Sequence, residues 1–285
     1  MLSRKNLAIA ASLVFGLTYL FGCSSDDKPA TSFYGSFSDS DFQRVQSEMS
    51  DIIDSTVNFI VTGFDVIAEI PTAEGGQDGD IQIQFGPGNG DSIIVSYSYA
   101  NDWHILSFSN ILNAYSLYFN DSIQFRNPNG VPEQNSDNIE ELTYKHKWRS
   151  ISTDTTVSHT DLSGSYDYIA TGLSTTTALI SGDITWNSST KNVTQDSTVW
   201  IDIQASAALS SIEISRTALE WDQGCPSSGS MDISIQMTYT KDNNTPVVTE
   251  WSVTVTFSDG QITSMVSRGD ITWSYNEQVC VVPFS

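Results

Sequence analysis

The stretch MDISIQMTY, residues 231–239, decides the fold class of this chain. Successive side chains of a strand point to opposite faces, so Met231, Ile233, Ile235, Met237 and Tyr239 share one side. Asp232, Ser234, Gln236 and Thr238 share the other. Wound as a helix, the same residues would scatter apolar groups around the whole circumference. One apolar face and one polar face predict an antiparallel sheet that is packed on one side and wet on the other.

The pattern extends in both directions. Ile81–Phe85, Val199–Ala205 and Trp251–Phe257 alternate in the same way, the last with Ser252, Thr254, Thr256 and Ser258 on its polar side. Turn signals at Asn89-Gly90, Asn129-Gly130, Asn243-Asn244 and Asp259-Gly260 separate such runs. No helical crossover pattern lies between them, which disfavours βαβ folds. One helix is signalled upstream. Ser40-Asp41-Phe42-Gln43 fits a capping box. Phe42, Val45, Met49, Ile52, Ile53, Ile60, Val61, Phe64 and Ile67 then recur mostly three or four residues apart. Gly63 is a point for a break or kink, and Pro71 a stop. The expectation is a mainly β fold: a large antiparallel sheet, curved into a sandwich, half-barrel or barrel, with one amphipathic N-terminal helix at about 40–68 packed on it. Residues 37–285 read as a single β-rich domain, the alternative being two β subdomains split near 160–190. Gly182-Asp-Ile-Thr-Trp186 returns as Gly269-Asp-Ile-Thr-Trp273, which marks either a duplicated half or a β-rich composition repeating itself.

The N-terminus carries an export signal. Arg4 and Lys5 precede an apolar run, Leu7–Phe21, too short for a comfortable membrane-spanning helix. Leu20-Phe21-Gly22-Cys23 resembles the lipobox of bacterial lipoproteins, with Phe21 bulkier than the usual residue at its place. The resemblance covers residues 1–23 alone. It implies a signal peptide at 1–22, cleavage before Cys23, and a membrane anchor of acyl chains on Cys23. Several buried chains hold a protein stably, at about 0.8 kcal/mol per CH₂. Ser24–Ser36 is a polar tether, so that residues 23–36 form a lipidated linker. By resemblance to lipoprotein sorting, Ser24-Ser25 without an Asp after Cys23 argues against retention at the inner membrane and for the outer membrane of the cell envelope. Asp26-Asp27 resembles, more loosely, an acidic signal for surface display; a plain solvated linker is the alternative. With Cys23 acylated, Cys225 and Cys280 form an even set in an oxidising compartment, and a Cys225–Cys280 disulfide is expected, worth roughly 4 kcal/mol on the chain-entropy model. Two buried thiols are the alternative.

Loss of Arg4 and Lys5 leaves 10 Lys and Arg against 34 Asp and Glu, a formal −24. Nucleic acid is excluded as a partner on that balance. An outer-membrane β-barrel is allowed by the 31 aromatics but opposed by the lipobox, the capped helix and Pro283.

Candidate chemistry is sparse. Gly75-Gly76-Gln77-Asp78-Gly79-Asp80-Ile81 resembles a calcium-binding nonapeptide, departing from it at Asp78, and Gly86-Pro-Gly-Asn-Gly-Asp91 partly echoes it. The resemblance implies calcium held through Asp78, Asp80 and Asp91; two loops around a strand are the alternative. Lys145, Lys147 and Arg149 share one face of Tyr144–Ser150, opposite Tyr144, His146 and Trp148. That basic stripe reads as an anion or acidic-glycan site, or as cross-strand partners for acids such as Asp154 and Asp161. His104, His146 and His159 lack metal spacing, and His146 and His159 either meet across strands or are ordinary strand residues. No nucleophile elbow, P-loop or dinucleotide fingerprint is present. The seven Trp and eleven Tyr suit either sugar stacking or a β core. A helix on a curved sheet is similar to periplasmic lipid carriers and lipocalin-like binders. The functional expectation is a lipid-anchored, non-catalytic binding or carrier module for an apolar ligand or an envelope partner, the alternative being a surface glycan-binding module or glycan hydrolase.

Overall fold

A computed structural model describes residues 38–67, 79–84, 92–112, 115–134, 138–152, 158–194, 197–217, 220–221, 226–242, 244–258 and 261–277. The chain is mainly β, with one helix among the described residues, α1 at Ser40–Ile67. The strands are β1 Gly79–Gln84, β2 Ser92–Ala100, β3 Trp103–Leu112, β4 Tyr115–Arg126, β5 Pro132–Glu133, β6 Glu141–Ser152 and β7 Ser158–Thr171. They continue as β8 Thr177–Val193, β9 Thr198–Thr217, β10 Glu220–Trp221, β11 Ser228–Lys241, β12 Val247–Ser258, β13 Gln261–Arg268 and β14 Ile271–Glu277. All belong to one antiparallel sheet in the order β1-β2-β3-β4-β6-β7-β8-β9-β11-β12-β13-β14, with β5 on β4 and β10 on β9. The path follows the chain without a crossover. Among the described residues its two ends, β1 and β14, are not paired, so the sheet is open. Segment 160–190 is spanned by β7 and β8, which pair continuously from Ser158↔Asn192 to Thr171↔Leu179.

The expected alternation holds. Met231, Ile233, Ile235 and Met237 are buried, and Asp232, Ser234 and Gln236 exposed. The inner face carries the core, from Leu106 and Phe108 on β3 to Trp273 and Tyr275 on β14. This is the reverse of a membrane barrel, whose outer face is apolar. In β9 the phase slips once: Ile203, Ala205, Ala207 and Leu209 point inward, then Ser210 and Ser211 are both exposed before Ile212 and Ile214 return to the core. The register shifts there against both neighbours, between Ile180 and Gly182 on β8 and between Ser228 and Ser230 on β11. Ser211 takes φ 49°. A Cβ on Gly182 would lie 2.2 Å from the Asp167 carbonyl oxygen, so only glycine fits beside this bulge. Gly269, its partner in the sequence echo, instead turns β13 into β14 at φ 58° with open space around it. The two copies therefore use their glycines differently, although Trp186 and Trp273 both face the core.

The helix starts one residue earlier than the capping box implied. Asp39, not Ser40, is the cap: its Oδ1 accepts from the backbone N–H groups of Asp41 (2.9 Å) and Phe42 (3.0 Å). Gly63 does not end α1, which runs on to Ile67. Phe42, Val45, Met49, Ile52 and Ile53 are all buried along one stripe. Phe42 stacks on Trp273 at 4.7 Å and the Tyr275 hydroxyl donates to Met49 Sδ at 3.6 Å, which lays the first turns of the helix on β14. Arg268 on β13 fastens the end: its Nη2 is 2.7 Å from Asp39 Oδ2, and its guanidinium lies 4.6 Å from the Trp251 ring centre.

Candidate functional site

The register places one row of side chains straight across the outer face. Beginning with Ser96 on β2, it passes through Ser107, Asn120 and Lys147. It continues through Ser165, Thr185, Ser206 and Ser234. It ends at Ser252, Ser267 and Thr272. Every strand of the main path from β2 to β14 contributes one residue and none of them is apolar. Strands lie about 4.8 Å apart, so the polar groups repeat at that spacing. From Ser165 onward the row is neutral and almost wholly hydroxyl, and Ser165 Oγ lies 2.7 Å from Thr185 Oγ1.

Two further rows flank this one, and several of their side chains are longer. On one side, two residues along each strand, stand Tyr118, Arg149, Ser163, Asn187, Gln204, Gln236 and Glu250. On the other stand Lys145, Asp167, Asp183, Ala208, Asp232 and Thr254. Small hydroxyls beside the longer Asn187, Gln204, Gln236 and Glu250 make a trough. From β8 to β13 it forms a groove of about 720 Å³ whose lining includes Thr185, Asn187, Gln204, Ser206, Ser234, Gln236, Glu250 and Ser252. Its floor offers hydroxyl donors and acceptors, and its wall offers amides that both donate and accept.

The basic stripe borders this row. Lys145 Nζ is 3.3 Å from Asp167 Oδ2 and 5.9 Å from the Trp103 ring centre. Arg149 holds Asp161 through Nε at 3.0 Å and Nη2 at 2.7 Å, which lowers the Asp161 pKa and raises that of Arg149. Both are cross-strand pairs with β7. Lys147, between Asn120 and Ser165, is the member of the stripe that lies in the row itself. Asp154 lies outside the described residues, as do Cys23, Cys225, Cys280, Asp78 and Asp91; Asp80 is described as a position in β1.

The inner face holds a polar cluster that the sequence reading missed. Asp121 is buried against His146 Nδ1, its register partner, and accepts a hydrogen bond from Tyr144. Burial, reinforced by Asp121, pushes the Tyr144 and Tyr168 hydroxyls well above their ordinary pKa. The available signal was an acid in an apolar phase: Leu117, Phe119, Ile123 and Phe125 share the inward side of β4 with Asp121. His146 does not meet His159, whose Nδ1 lies 3.4 Å from Ser152 Oγ. Asp121 and His146 Nδ1 satisfy one another by hydrogen bonding within the packed wall. Comparisons with protein-family models, with curated proteins and with solved structures each found no match, so the site is read from its own geometry.

Proposed function

We propose that this chain is a non-catalytic binding module of the bacterial cell envelope, held to the membrane by acyl groups on Cys23, with the outer polar face of its sheet as the binding surface. The observation that carries this reading is the unbroken polar row from β2 to β14 and the groove it forms between β8 and β13. An apolar ligand, one of the two occupants expected from the sequence, would need the inner face. There Phe42, Val45, Met49, Ile52 and Ile53 already occupy the sheet beside β14 and are themselves buried. The groove hydroxyls of Ser206, Ser234 and Ser252 face amides and one carboxylate, Glu250, rather than an imidazole that would activate a nucleophile. Such a surface holds a polar partner by many weak hydrogen bonds instead of transforming it.

The anchor is tested by fractionation. Wild-type chain should sediment with envelope membranes and incorporate labelled palmitate, and Cys23→Ala should do neither. Equal membrane recovery of the two, without label in either, would refute anchoring at Cys23.

A further inference from the structure

We infer that the groove across β8–β13 binds a linear, uncharged glycan lying perpendicular to the strands, an inference that takes the outer face as the binding surface proposed above. Three observations converge on that ligand class. First, the floor is built of small hydroxyl side chains at one per strand, Thr185, Ser206, Ser234, Ser252 and Ser267, so the groove repeats every 4.8 Å or so, comparable to one sugar ring, and extends for roughly 20 Å. A polymer with its own regular hydroxyl repeat matches such a comb; a compact ligand would use only part of it. Second, Asn187, Gln204 and Gln236 stand along one wall, and amides with hydroxyls answer the mixed donor and acceptor pattern of a sugar at both ends of each hydrogen bond. Third, charge decides between glycans. The chain carries 34 acidic residues, yet none lies in the row from Ser165 to Thr272. Glu250 is the one acid in the groove lining, and Asp183 and Asp232 flank the same row just outside it, where the three carboxylates repel uronic acids and sulfated sugars. Tyr118, 46 % exposed, lies further along the same wall row and offers a ring face to a chain that overruns the groove.

An extended peptide is a poorer fit, because it pairs with the edge of a sheet through its backbone rather than crossing the face. Nucleic acid is opposed by the net charge of −22.

The experiment is isothermal titration of the detergent-solubilised full-length protein with an array of linear neutral hexasaccharides, and with oligogalacturonate as the acidic counterpart. At least one neutral hexasaccharide should bind, and the acidic one should bind at least tenfold more weakly. Filling the floor with the pair Ser206→Leu and Ser234→Leu should weaken the neutral ligand tenfold or more. Gln204→Ala with Gln236→Ala should weaken it without filling the groove, which covers the case in which the leucine pair fails to fold. Thr256→Leu, exposed on β12 outside the groove, should leave binding unchanged. No binding by any neutral hexasaccharide, binding undiminished in the alanine pair, or preference for the acidic ligand would each overturn the inference. A chain that is anchored through Cys23 but binds no glycan refutes only the ligand class; a chain that binds glycan without acylation refutes only the anchor.

Discussion

His104 shows what an individual residue contributes on the packed face. It is fully buried on β3, with Nδ1 3.0 Å from the Tyr97 hydroxyl and the ring 5.1 Å from Phe125. Burial pushes its pKa down to about 4, against a smaller upward pull from the Gln134 backbone. The unfolded chain therefore binds a proton near pH 6.5 that the folded chain refuses until about pH 4. This group's contribution is fully present above pH 6.5 and is lost as pH falls, at about 1.4 kcal/mol per unit within that window. Urea denaturation between pH 7.5 and 4.5 should show His104→Gln losing less stability on acidification than the wild type. Parallel losses would mean that His104 is protonated without penalty. Nothing in the sequence marks this histidine as buried beyond its phase in the Trp103–Leu112 strand; the aromatic rings that surround it come from β2 and β4.

At the level of elements, the helix and its cap show a local signal completed by a distant partner. Phe42, Val45, Met49, Ile52 and Ile53 were legible as one stripe because 3.6-residue periodicity is a property of the chain alone. The choice of Asp39 over Ser40 as cap was not, since both residues are good caps and adjacent. Arg268, far away in sequence, favours Asp39 by holding its second oxygen while the first caps the helix. Asp39→Ala should cost about 1–2 kcal/mol in urea denaturation, the usual worth of a cap. Asp39→Asn keeps the cap and gives up only a partly exposed ion pair, so its cost should stay below about 1 kcal/mol. Equal losses in the two variants would place the stabilisation in the ion pair instead. The β9 bulge is a similar case. The phase slip in Leu209-Ser210-Ser211-Ile212 is written in the sequence, but its fit to Gly182 and Gly229 on the flanking strands depends on which strands those are.

At the scale of the whole molecule, one sheet spans the described chain from Gly79 to Glu277, and the Asp39–Arg268 contact fastens the N-terminal helix to its last strands. Scanning calorimetry should therefore show a single transition, with near- and far-ultraviolet dichroism coinciding. Two resolved transitions would support two β units meeting near 160–190. The sequence by itself determined the strand class, the antiparallel character of the sheet and the helix, because these follow from side-chain period and from turn residues close by. It also placed Lys145, Lys147 and Arg149 on one outward face. Only the tertiary structure decided the groove. Ser206, Ser234 and Ser252 become neighbours through register, and a slip of one residue would turn each strand over and send these hydroxyls into the core. That register is set jointly by turns, bulges and the packed inner face, so the row of hydroxyls exists only once the whole sheet has assembled.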